Sequence, residues 1–385
     1  MTLLLALFLV QEPITAEEFA SRRTLLMERM GKGVGVIDGS VQGRSAAKYD
    51  LSYLAGYSEK DAILFLDPTT KRTVLFVEEI EKAKKATGLS EILSRKEFPR
   101  FAEETFPKVE RVYARVRPET AKLIAGHNGK VSHTLAEEIV KLRLVKSKAE
   151  LALIRKASDA TCKAHVALYR VVKPGANESE VQKTLEKVFK DEGCPDLCFP
   201  SICGSGKNGT ILHYEANREA IPADSLIVCD IGAAVHGYGT DITRTLPTSG
   251  KFTEAQREKY QLVRDAQTAA EKILKPGATL RQLHVAAAKV FEERKATKWS
   301  FAHSGDREVR HGLGHFVGMY VHDSGSGDTK FEPGMVITIE PGWYDRDAGW
   351  GIRIEDMYLV TADGFERLSA AAPREIDEIE KAMKP

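Results

Sequence analysis

Lys173-Pro-Gly-Ala176 recurs 102 residues on (275 − 173 = 102) as Lys275-Pro-Gly-Ala278, and Val188-Phe189 recurs at the same offset as Val290-Phe291. One copy would only mark a helix end, where Gly takes a left-handed turn and Pro stops the helix. Two copies in register, each with a helical pattern before it and another after it (179–190 and 280–293), predict an internal duplication. We read two helix–turn–helix units, each backing part of a sheet. The strands repeat as well. Ser225-Leu-Ile-Val-Cys-Asp-Ile-Gly232 and Gly334-Met-Val-Ile-Thr-Ile-Glu-Pro-Gly342 are apolar runs ending in a carboxylate, with Gly two residues later. Each is followed by a second candidate strand that carries a carboxylate, Asp241-Ile-Thr-Arg-Thr and Ile352-Arg-Ile-Glu355. The two halves would thus bring four carboxylates to one centre.

Acidic groups inside apolar strands are costly unless paired or bound to a cation. Four of them together repel one another and raise each other's pKa, and a pair of divalent ions is the natural neutraliser. Carboxylates plus one imidazole suit manganese, cobalt or zinc. Such a pair of ions, about 3.5–4 Å apart, activates water and polarises a carbonyl. The nitrogen ligand would be His315, within Arg310-His-Gly-Leu-Gly-His315-Phe-Val-Gly-Met-Tyr-Val-His322-Asp. A lone histidine is more often a surface or core residue. Three in a short Gly-rich stretch, followed by a strand-end glutamate, point to a site. His213 is a fourth, after the turn-rich 204–209 loop, which lacks the pattern of a phosphate loop. His127 and His133 are read as surface or loop residues.

With 385 residues, 43% hydrophobic and 29% charged, the chain predicts two globular domains. Lys plus Arg is 56 against 55 for Asp plus Glu, a net charge of +1 that gives no reason to expect nucleic acid or an anionic membrane. No apolar run approaches a membrane span. Residues 3–10 are apolar and end at Gln11-Glu12-Pro13. They read either as the h-region of a leader (1–14), without its basic start or cleavage site, or as an element of the first domain. Five cysteines, an odd number, speak against a disulfide framework, and the group Cys194, Cys198, Cys203 lacks zinc-site spacing. Residues 17–30 predict a helix with Phe19, Leu25, Leu26 and Met30 on one stripe. Strands at 33–37, 61–66 and 73–77 alternating with helices such as 78–87 predict an α/β domain. A long helix over 148–172, with Ser147 and Glu150 as its capping box, sets the domain boundary at about 146.

Leu212-His-Tyr214, Asp230-Ile-Gly-Ala233, Asp241-Ile-Thr-Arg244, His311-Gly-Leu-Gly-His315, Val321-His-Asp323, Ile339-Glu-Pro-Gly342 and Gly351-Ile-Arg-Ile-Glu-Asp356 resemble the metallopeptidase family that contains aminopeptidase P, prolidase and methionine aminopeptidase. The order and spacing agree through 148–385. Tyr49-Asp-Leu-Ser-Tyr-Leu-Ala-Gly56 resembles, less specifically, the creatinase-type N-terminal domain. The resemblance implies an α/β N-terminal domain (1–146) followed by an α+β pita-bread catalytic domain (147–385) with internal pseudo-twofold symmetry. It implies two divalent ions, manganese first with cobalt or zinc as alternatives, held by Asp230, Asp241, His315, Glu340 and Glu355. Asp241 and Glu355 would bridge them. Glu340 would also be the general base, His213 and His322 would stabilise the tetrahedral intermediate and assist proton transfer, and His311, Tyr344 and Arg353 would line the proline side or steady the substrate.

The activity so implied is hydrolysis of the Xaa-Pro bond at a peptide N-terminus, with prolidase as the alternative. A prolidase must hold a free carboxylate, for which Arg307, Arg310 and Arg353 are candidates. The large N-terminal domain argues against methionine aminopeptidase. The complete ligand set argues against creatinase-like chemistry and against a non-catalytic binding relative. A homodimer or higher homo-oligomer is expected by the same resemblance. A cytoplasmic location is expected, or export if 1–14 is a signal. Cys203 and Cys229 stand where similar proteins carry other small or apolar residues. Cys229 precedes a ligand position, so its oxidation is expected to disturb the site.

Overall fold

The computed structural model describes residues 14–39, 46–125, 130–132 and 134–384. The apolar run 3–10, His127 and His133 lie outside them. The chain divides into two compact units, Met1–Arg143 with Lys148–Ala152 and Leu144–Ser147 with Leu153–Pro385.

The first unit is built on a six-stranded mixed sheet. Its spatial order is Ile92–Ser94, Arg72–Val77, Ile63–Asp67, Val34–Asp38, Arg111–Arg115, Lys130–Ser132. The three middle strands pair antiparallel and the outer pairs are parallel. Alternating Val, Ile and Phe fill one face with a core that includes Val36, Ile63, Phe65, Val74, Phe76 and Phe98. Its rings meet edge to face, Phe76 and Phe98 at 5.1 Å between centroids. The helix Ala16–Met30 starts where the Thr15 hydroxyl accepts from the Glu18 amide. Its buried stripe is Leu26, Met27 and Met30 with Arg22 and Arg23, whereas Leu25, expected inside, is 45% exposed. Two arginines occupy that stripe because both donate to carbonyls at the end of the helix Asp50–Ala55, Arg22 to Tyr53 and Arg23 to Leu54.

The second unit realises the duplication. The helices Lys148–Leu168 and Glu178–Asp191 flank the first Lys-Pro-Gly-Ala turn, and Glu254–Glu271 and Leu280–Glu293 flank the second. Gly175 and Gly277 both take positive φ, 80° and 85°. The next helices begin at equivalent caps, Asn177 and Thr279, each with a complete capping box. The hydrogen bonds repeat too. The Gly175 amide donates to the Ile221 carbonyl and the Ile221 amide to that of Ala176; Gly277, Phe331 and Ala278 make the same exchange. Each partner lies five residues before a strand, Leu226–Ile231 or Val336–Ile339. The turn thus sets the register of the strand that ends in Asp230 or Glu340. Leu226–Ile231 lies between Ile202–Ser205 and Ile242–Pro247, while Val336–Ile339 pairs with Asp356–Val360, which pairs with Phe365–Arg367.

Gly175 and Gly277 have open space where a Cβ would stand, so substitution there meets only backbone strain. Gly175→Ala and Gly277→Ala are each expected to destabilise the protein by about 1–2 kcal/mol, and by similar amounts. Urea unfolding of both variants checks this; a large cost at one turn and none at the other would contradict their equivalence.

Candidate metal centre

Asp230 is the penultimate residue of the strand Leu226–Ile231, and its side chain is held by Arg353, whose Nη2 is 2.7 Å from Oδ2. Asp241 precedes the antiparallel partner strand Ile242–Pro247, and its amide donates to the Met357 sulfur. Glu340 follows Val336–Ile339, with its amide on the Leu313 carbonyl at 2.7 Å. Glu355 lies between Trp350–Arg353 and Asp356–Val360 and is 1% exposed. The Thr243 hydroxyl donates to its Oε2 at 2.7 Å, and its amide donates to the Thr243 carbonyl. The two halves meet along this seam. Asp241, His315 and Glu355 each bring one ligand atom to within 4.8 Å of the others. His315 Nε2 is also 3.6 Å from Glu340 Oε1, and Asp230 shares the electrostatic field of Asp241 and Glu355. All five expected ligands therefore face one region.

The histidines are fixed in the form a ligand set needs. His315 Nδ1 is 3.2 Å from the Phe316 carbonyl, which can only accept, so Nδ1 carries the proton and Nε2 presents its lone pair toward Asp241 at 3.4 Å. His311 Nδ1 likewise donates to the Gly312 carbonyl, leaving Nε2 to accept from the Tyr344 hydroxyl at 2.8 Å. Burial holds both imidazoles down to about 3; His322 adds to the effect on His315, and Arg353 on His311. Both are neutral at ordinary pH. The His322 ring stands edge to face on His315 at 4.4 Å between centroids. His213, on an exposed loop position, lies within electrostatic reach of His311.

Arg353 and Tyr344 are too buried, 4% and 0% exposed, to form much of a surface. The Arg353 Nη1 donates to the Tyr344 hydroxyl and its Nε to the Thr243 hydroxyl. The expectation for these two residues is that they line the proline side or steady the substrate; the structure shows them bracing their neighbours, Arg353 on Tyr344, Thr243 and Asp230, and Tyr344 on His311. Arg307 and Arg310 are exposed. Thr243 was not singled out by sequence, although the two-residue period of a strand puts it on the face of Asp241. Glu178 was missed as well. At the first position of Glu178–Asp191 and 0% exposed, it accepts from the Ser205 amide and hydroxyl, Asn208 Nδ2, the Tyr214 hydroxyl and the Glu219 amide, at 2.7–3.1 Å. Those bonds fasten the loop that carries His213. Only its place in a first helical turn was visible in the sequence, and that reads as ordinary dipole compensation.

The donor set fits divalent cations. Asp230 Oδ1, Asp241 Oδ1 and Glu355 Oε1 are buried and meet no hydrogen-bond donor among the described residues. Burial, and next Glu355, push the carboxyls of Asp241 and Glu340 well above the ordinary range. Burial and then Asp230 raise Glu355 from 4.5 to about 7. Oxygen-rich ligands with one neutral imidazole, short of positive charge, are what such ions take. None of the five cysteines is in a disulfide, Cys198 being half-buried and the rest buried; Cys203 and Cys229 are opposed across two strands.

Residues 152–362 match the model of metallopeptidase family M24. Xaa-Pro aminopeptidase 1 of Streptomyces coelicolor is 30% identical over 434 aligned positions, covering 97% of this chain and 88% of that protein. The mitochondrial intermediate cleaving peptidase 55 of Arabidopsis thaliana is 36% identical over 270 residues, and the chain spans about half of that relative, 54%. Zinc-substituted aminopeptidase P of Escherichia coli, solved with product, superposes with a TM-score of 0.85 at 27% identity, covering 97% of this chain and 99% of that one. The chain belongs to metallopeptidase family M24 and has its pita-bread fold.

In metal-free protein, the folded state keeps a proton on Glu355 that the unfolded chain releases near pH 4.5. Its contribution to stability therefore falls as pH rises from about 4.5 to about 7 and stays low above that. Cations replace those protons. The gain in Tm on adding saturating manganese should thus increase from about pH 5 to about pH 7.5; a gain that is flat or shrinks over this range contradicts the ligand assignment. Glu178→Gln should keep full metal content but lower turnover about tenfold, because it loosens the His213 loop and touches no ligand. Lost metal, or unchanged turnover, would count against that placement.

Proposed function

We propose that this M24 metallopeptidase is a metal-dependent exopeptidase that hydrolyses the Xaa-Pro bond at a peptide N-terminus. The observation that carries the reading is the convergence of Asp241, His315 and Glu355, with buried carboxylate oxygens left unpaired, in a chain similar over nearly its whole length to an Xaa-Pro aminopeptidase. Two divalent cations bound there would supply Lewis acidity for the carbonyl and acidify water. Manganese is the proposed ion. Zinc is supported as an alternative by the zinc-substituted structural relative, and cobalt by the donor set.

Asp230, Asp241, His315, Glu340 and Glu355 would hold the ions. Glu340 takes the proton from the attacking water. Its raised affinity for protons in the bare site suits a group that must accept one and pass it on. His213 and His322 donate to the oxyanion of the tetrahedral intermediate and help protonate the leaving nitrogen. His311 faces the proline side, braced by Tyr344, which Arg353 braces in turn while it anchors Asp230. Peptides with proline in second position are the substrates. The lack of a disulfide among the five cysteines supports a reducing, cytoplasmic setting. A homodimer or higher homo-oligomer is proposed on the family resemblance.

Manganese-loaded protein should cleave an Xaa-Pro-Xaa tripeptide faster than an Xaa-Pro dipeptide. Cleavage of the dipeptide alone would make it a prolidase, and no turnover of either would sink the enzyme reading. Glu340→Gln should fold normally and lose about 10³-fold in kcat; near-normal turnover would remove Glu340 from its role.

A further inference from the structure

Five arginines among the described residues are buried, and four of them meet a carboxylate. Arg22 reaches Glu18 at 2.6 Å, Arg143 reaches Asp50 at 2.7 Å, Arg244 reaches Asp356 at 2.6 Å and Arg353 reaches Asp230 at 2.7 Å. Arg23 is the exception. At 6% exposure it has one hydrogen bond, from Nη1 to the Leu54 carbonyl at 2.8 Å, and no carboxylate partner among the described residues. A buried cation without a counter-ion is expensive. Burial alone holds this guanidinium down to about 10. A single carbonyl at a helix end supplies a fraction of the missing negative charge.

Arg23 also lines a cavity of about 530 Å³ in the N-terminal unit, between Ala16–Met30, the turn and strand start at 68–73 and the loop at 88–90. The cavity wall carries Arg23 and Lys71 against Glu28, a balance of one positive charge. Thr24 and Ser90 add hydroxyl donors, and Met27 and Leu89 add apolar surface. Lys71 is held in the left-handed region, φ 55°, at the turn between two sheet strands, and makes no ion pair among the described residues.

We infer that the N-terminal unit carries a binding site for a small organic monocarboxylate, whose anionic head is taken by Arg23 and Lys71 and whose short apolar body lies on Met27 and Leu89. One carboxylate matches the single excess charge, and its two oxygens match the fork of a guanidinium. The cavity volume is within the range of small-molecule sites. Every residue invoked lies in the first compact unit and every candidate metal ligand in the second, so this inference stands apart from the proposed function.

The test uses the full chain with 13C-methyl methionine, the Met27 methyl signal being assigned by Met27→Leu. Butyrate is the probe and butyramide its neutral counterpart. Butyrate should move the Met27 signal saturably while butyramide does not. Arg23→Met should weaken binding at least about tenfold. Because that variant also removes a helix-end contact, Lys71→Gln, an exposed change, provides a second measure and should weaken binding about threefold. Equal response to butyramide, no saturable response to butyrate, or undiminished butyrate binding in both variants would overturn the inference. A response to inorganic phosphate as strong as that to butyrate would overturn the carboxylate assignment.

Discussion

Asp230, Asp241, Glu340 and Glu355 lie close together, and their negative charges raise the proton affinity of Asp241, Glu340 and Glu355 in a region where Arg353 contacts Asp230. Their mutual repulsion is the constraint around which the C-terminal unit is organised. Buried carboxylates normally end in ion pairs or hydrogen bonds, and the rest of this unit follows that rule. At the centre three oxygens are left without donors, and Glu355 is held near neutrality in its titration. A fold that keeps such a cluster must hold its members through their backbones and their remaining side-chain oxygens. Thr243 on Glu355, Arg353 on Asp230 and the Leu313 carbonyl under the Glu340 amide supply that support.

The duplication explains how one chain places four carboxylates together. Each half uses a left-handed Gly turn to pin a strand, and that strand ends at a carboxylate. The halves are then joined by side chains crossing the seam. Thr245 exchanges hydrogen bonds with the Arg353 backbone, and Arg244 reaches the Glu355 carbonyl. The correspondence is not perfect. The offset between the halves grows from 102 at the turns to 110 at the strands (340 − 230 = 110), because the second half has eight more residues between its helix and its strand. Asp241 and Glu355 also differ in register: Glu355 precedes the partner of Ile339, while Asp241 precedes that of Ile231. His315 has no counterpart in the first half's ligand set, so the centre is symmetric in its acids and asymmetric in its nitrogen.

The elements legible in the sequence were those in which local chemistry and tertiary role coincide. The Lys-Pro-Gly-Ala turns, the apolar strands ending in acid and the Gly-rich histidine stretch carry their positions openly, and the structure brings all five expected ligands to one region. Sequence reading failed where long-range contacts decide. Leu25 fits a helical stripe, yet Arg22 and Arg23 displace it from the interior because both donate to carbonyls of a helix 31 residues on. Glu178 looks like a solvated first-turn acid, and only the folded loop reveals its five donors. Tyr344 and Arg353 are recognisable by motif, but their depth, and so their role as braces, is not.

Glu355 and Asp356 show why the centre is a site rather than a tolerated defect. They are adjacent, and both are almost completely buried. Their side chains go to different partners across the seam, Glu355 to the Thr243 hydroxyl and Asp356 to the Arg244 guanidinium. Burial would raise Asp356 as well, but Arg244, Arg374 and Arg367 overcome that and hold it well below the ordinary range, with the Ser369 hydroxyl as a further donor. Glu355, one residue away, meets one hydroxyl and leaves Oε1 bare. The fold thus has the means to neutralise a buried carboxylate at this depth and applies them to Asp356 only. What distinguishes Glu355 is the company of Asp230, Asp241, Glu340 and the lone pair of a neutral His315. That company is poor as a core and well suited to divalent cations.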